Sequence, residues 1–67
     1  MTNPKIGDTI NVEFEGEVFP CYIQAIGLYD GGGVEYLEVL TNPGQGDDEF
    51  YAELYIEDMG RDWTIVQ

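Results

Sequence analysis

The sequence predicts an all-β fold, a small five-stranded antiparallel barrel filling one domain, residues 1–67. Three observations predict it. Residues 9–15 and 49–57 alternate apolar and polar side chains with the period of two that a half-buried strand requires. Five such short segments follow one another. Gly, Pro, Asn and Asp cluster between them, where turns need those residues.

The first strand runs from Thr9 to Glu15, with Ile10, Val12 and Phe14 on a core face and Asn11, Glu13 and Glu15 opposite. Gly16, between Glu15 and Glu17, turns the chain. The second strand runs from about Val18 to Leu28. Phe19, Cys21, Ile23 and Ala25 lie on one side, and Val18, Tyr22, Ile26 and Leu28 on the other. Apolarity on both sides of so long a strand implies a bend that serves two parts of the core. Pro20 has no N–H for a ladder and is expected at an edge or a bulge. Asp30 and three glycines connect to a third strand, Val34 to Leu40, in which Leu37 and Val39 share a face and Tyr36 and Leu40 flank Glu38 on the other. A loop from Asn42 to Asp48 leads to the fourth strand, and Trp63 to Val66 closes the fold.

The fourth strand, Glu49 to Glu57, is the most informative stretch. Phe50, Ala52, Leu54 and Ile56 form an apolar face, while Glu49, Tyr51, Glu53, Tyr55 and Glu57 alternate acid and aromatic on the other. The same stretch has a competing α+β reading, a helix over about 48–59. Asp47 or Asp48 would cap its start, Gly60 would cap its end, and Phe50, Tyr51, Leu54, Tyr55 and Met59 would share a face. Against the helix, Glu57 and Asp58 would sit at the negative end of its dipole.

Residues Gly7 to Glu17, a Gly-Asp start, an alternating strand and a glycine turn into a long second strand, resemble the opening of SH3-like barrels of the Tudor and KOW kind. The resemblance covers the first strand pair, and beyond it only the number of strands. It implies a recognition module. The aromatic cage of a Tudor domain cannot be assigned here residue by residue, and the acidity departs from KOW modules that bind RNA.

Fourteen acids face two bases, Lys5 and Arg61, for a net charge of −12. This excludes direct binding of nucleic acid, which needs Lys and Arg to release counterions, and of an anionic membrane surface. It points to the basic surface of a protein as partner, or to solubility alone. A chain of 67 residues buries only about 60% of its unfolded surface, so a modest stability is expected. With one cysteine, Cys21, no intrachain disulfide forms, and with no histidine no Cys-His nucleophile pair exists. Neither a nucleophile elbow nor a phosphate loop nor a dinucleotide fingerprint is present, so no enzyme and no cofactor is expected. Asp47, Asp48 and Glu49 gather hard oxygen atoms but lack the spacing of a calcium loop, and no metal is expected there. The N-terminal stretch lacks a signal-peptide core, and no apolar run reaches the roughly 20 residues of a membrane span. A cytoplasmic protein is therefore expected.

The expected partner-binding residues are Glu13, Glu15 and Glu17 at the first turn and Glu49, Tyr51, Glu53, Tyr55 and Glu57 on the fourth strand. Same-face residues on a strand repeat every roughly 6.6 Å, close to twice the spacing of phosphates along a nucleic-acid strand, about 3.4 Å, so a row of carboxylates could imitate alternate phosphates. The expected function is that of a non-enzymatic acidic binding protein that occupies the basic site of a nucleic-acid-handling protein by mimicking nucleic acid. Small acidic phage proteins that block host restriction or CRISPR defence act so, and this chain is similar to them in size and charge only. The alternative is an SH3-like adaptor that recognises a basic peptide or protein tail.

Overall fold

A computed structural model describes residues 4–66. The fold is all-β. Five strands, β1 (Thr9–Phe14), β2 (Glu17–Leu28), β3 (Val34–Thr41), β4 (Phe50–Tyr55) and β5 (Trp63–Val66), form a single antiparallel sheet in the order β4-β3-β2-β1-β5. The barrel expected from the sequence is not closed by pairing, because β4 and β5 remain the two edges of the sheet. The helix considered for 48–59 is absent. That stretch holds β4 between two single-turn 3-10 helices, Gly46–Asp48 and Ile56–Asp58.

The turn between β1 and β2 uses Glu15 and Gly16, both with positive φ, at 52° and 83°. Two such residues give the twist that a tight hairpin needs, and Phe14 then pairs with Glu17. Pro20 pairs with Asn11 and lies one residue beyond the last β2–β3 pair, Cys21 with Thr41. Its carbonyl accepts the Asn42 N–H at 2.8 Å, so the N–H it lacks would point past the end of β3 and costs the ladder nothing.

The bend expected in β2 is a bulge. Ile23 pairs with Val39 but Ala25 with Glu38, which leaves exposed Gln24 as the extra residue. An inserted residue reverses the phase of the alternation. Ile26 therefore joins Leu37 on the core side, and Ala25 moves to the opposite face beside Glu38, the reverse of the assignment that strict alternation gives.

The core consists of Val12, Cys21, Ile23, Leu37, Val39 and Trp63, with Ile10, Phe19, Ile26, Ala52, Leu54, Ile56 and Ile65 packed around it. Trp63 pairs with Phe14 and donates its indole N–H to the Tyr55 carbonyl at 2.9 Å. This bond ties the start of β5 to the end of β4 across the open side of the sheet. Cys21 is buried, with Thr41 Oγ1 at 3.7 Å and the Phe19 carbonyl at 3.7 Å from its sulfur. Burial pushes its thiol pKa up, against a smaller lowering by Thr41. Among the described residues, no helix is long and apolar enough to cross a membrane.

Candidate recognition face

Register across three strands builds a candidate face on the side of the sheet away from the core. Cross-strand partners lie on the same face, so the pairings form rows. Tyr22, Leu40 and Tyr51 make one row, Ala25, Glu38 and Glu53 the next, and Gly27, Tyr36 and Tyr55 the third. Successive rows are roughly 6.6 Å apart. An acidic row is thus held between two aromatic ones.

Local packing fixes the third row. The Tyr36 ring lies over Gly27, where a Cβ would come within 2.1 Å of it. Tyr55 sits beside Tyr36 with ring centroids 5.3 Å apart and planes tilted by 37°. Gly27 is therefore part of the aromatic surface, since only a residue without a side chain lets the ring lie flat on the strand. In the first row Tyr51 is 68% exposed and leads outward.

The middle row is electrostatically unfavourable. Glu38 and Glu53 stand directly opposite each other, and like charges so placed repel. Arg61 lies in the β4–β5 connection with its guanidinium on Asp58 at 2.6 Å, the one ion pair among the described residues, and Lys5 precedes β1. Neither base belongs to the rows. Glu53 is the main cause that raises the pKa of the Tyr55 hydroxyl above its usual value, followed by burial and by Glu35.

The eight residues expected from the sequence are not one surface. Tyr51, Glu53 and Tyr55 do share the outer face of β4. Glu49 and Glu57 do not extend that row, because β4 is shorter than the Glu49 to Glu57 alternation suggests. The Glu49 carboxylate turns back to accept the Gly44 N–H at 2.5 Å, and Glu57 lies in the second 3-10 turn. On the hairpin, Glu13 pairs with Val18 on the outer face, Glu15 occupies the turn, and Glu17 pairs with Phe14 on the core side. Glu38 and Tyr36 join the site through register with β4. Their alternation around Leu37 was the signal in the sequence, but only strand pairing could place them beside Glu53 and Tyr55.

Among the described residues, no group of three or more Cys, Asp or Glu side chains is placed to hold a metal ion. The loop acids expected to be a poor calcium site form the first 3-10 turn, where Asn42 Nδ2 donates to the Asp48 carbonyl at 3.1 Å. In comparisons with protein-family models, with curated proteins and with solved structures, nothing matches this chain.

Proposed function

We propose that this is a non-enzymatic acidic binding protein that docks its outer β2–β3–β4 face on the basic surface of another protein. One observation carries the reading: the facing pair Glu38 and Glu53, held without a cation between rows of tyrosine. A fold gains nothing from that pairing, whereas an incoming Lys or Arg side chain relieves it. The same cation lies within reach of the Tyr51 and Tyr55 rings, so charge and cation–π attraction act on one group. Such a face gives a fast encounter through charge and a slow release through its rings.

The basic surface proposed is the nucleic-acid site of a nucleic-acid-handling protein. Such sites are rich in Lys and Arg, and a partner of charge −12 is drawn to them over a long range. The second reading is an SH3-like adaptor for a basic peptide. The strand order, the long bulged β2 and the single 3-10 turn before β5 favour it, as does a site whose acids form one pair rather than a long line. Capture of a partner on the immobilised protein, followed by competition with duplex DNA and with the partner's basic tail peptide, separates the two. Displacement by DNA supports mimicry, and displacement by the tail peptide supports the adaptor. If Glu38→Gln, Glu53→Gln and Tyr51→Ala variants capture the partner as the parent does, both readings fall.

A further inference from the structure

The core side of the sheet carries a second surface, on which the outer face does not depend. Because β4 is not paired with the rest of the sheet except through β3, a groove of about 580 Å³ stays open between β4 and the β1–β2 hairpin. Its apolar lining is Val12, Phe14, Phe19, Phe50, Ala52 and Leu54. Phe14 is 46% exposed and Phe50 49%, although both point from the core side of their strands. Phe19 meets Phe50 edge to face at 6.3 Å, so the two rings form an aromatic wall of the groove. Glu15 and Glu17 on the hairpin and Glu53 on β4 border it.

We propose that this groove takes an extended segment of another protein in which apolar residues alternate with Lys or Arg. Three features select this occupant. First, β4 is an edge strand of six residues, paired with a neighbouring strand on one side only, and can accept an added strand on the other. Second, an added strand turns every second side chain one way, so its apolar residues enter the groove together and the alternate residues face the border. Third, that border is acidic, so the alternate residues are basic. A second copy of this chain fails the third condition, since each copy carries a charge of −12.

The test uses the fluorescein-labelled peptide Lys-Val-Lys-Phe-Lys-Val-Lys, read by fluorescence anisotropy, and amide chemical shifts of the unmodified protein. The parent is expected to bind it. N-methylation of alternate peptide amides should weaken binding by about tenfold or more by breaking the added ladder, and Phe50→Thr should weaken it as much by removing an aromatic anchor. Tyr22→Ala, on the outer face of β2 and two strands away from the β4 edge, should leave the affinity of this peptide within about twofold, since distant sites act independently. Shifts should move at Phe14, Phe19 and Phe50 to Leu54 and not at Tyr22 or Tyr36, an outcome that needs no variant to fold. No binding, equal binding of the N-methylated peptide, or shifts confined to the Tyr22 and Tyr36 side would overturn the proposal. A dimer in sedimentation that Phe50→Thr dissociates would assign the groove to a second copy and overturn it likewise. The outer-face reading is judged separately, by the Glu38→Gln variant against the captured partner, because Glu38 lies on β3 and does not line the groove.

Discussion

Replacing Glu38 by Gln should make the protein more stable, although it removes a charge from a strongly paired strand. Glu38 lies directly opposite Glu53, where side-chain Cβ atoms are about 5 Å apart. The two carboxylates can splay to about 7 Å, where two unit charges in a water-like medium repel by about 0.6 kcal/mol. A lower effective dielectric around half-buried Glu38 raises that figure, and screening by salt lowers it, so about 0.6 kcal/mol is a central value. For a domain this small, 0.6 kcal/mol corresponds to a rise in melting temperature of about 2–5 °C. Glutamine keeps the side-chain length and the contacts with Ala25, so the change isolates the charge. The assay is thermal unfolding followed by circular dichroism at low ionic strength, repeated at about 1 M salt, where the Debye length falls to about 3 Å. The stabilisation should vanish at high salt. Glu53→Gln should give a similar gain, and the double variant should gain less than the two single changes added, because either one already abolishes the repulsion. Additive gains, or a gain that survives 1 M salt, would show that the two carboxylates do not interact and would remove the ground for treating them as a site.

Gly27→Ala should destabilise the fold by about 1–3 kcal/mol, because its Cβ would overlap the Tyr36 ring and push it against Tyr55; chemical denaturation measures the loss, and an unchanged stability would show that the ring does not lie on Gly27. Tyr55 should ionise above the usual tyrosine range, and Glu53→Gln should bring it down, since Glu53 is the main cause of the rise; the difference between parent and Tyr55→Phe in alkaline absorbance titration reports it. A hydroxyl whose pKa is higher in the fold than in the unfolded chain favours the fold while protonated, so that contribution is complete below the unfolded value near 10 and is lost as pH climbs through the folded one. Cys21 should react with a thiol reagent only as fast as the protein opens, because it is 2% exposed and its pKa is raised; rapid stoichiometric labelling of the native protein would contradict that burial.

Local rules determined most of the strand plan. Period-two alternation and glycine turns placed β1, β2, β3 and β5 to within a residue or two, since a strand with one buried face must show that pattern in its own residues. The same rule put Tyr51, Glu53 and Tyr55 on one face. It failed where the chain leaves the regular pleat. Glu49 and Glu57 continue the alternation in the sequence but not in space, because one accepts the Gly44 N–H and the other lies within a 3-10 turn. A one-residue bulge at Gln24 reverses Ala25 and Ile26, and nothing in a run of apolar residues shows which one is extra. The acid pair and its tyrosine rows depend on register between separate strands, which brings Leu40 to Tyr51, Glu38 to Glu53 and Tyr36 to Tyr55, and that is a property of the pairing and not of any one segment. The open groove is of the same kind: whether β4 closes on the rest of the sheet is decided by the curl of the whole sheet, and that leaves Phe14 and Phe50, core residues by every local criterion, half in water.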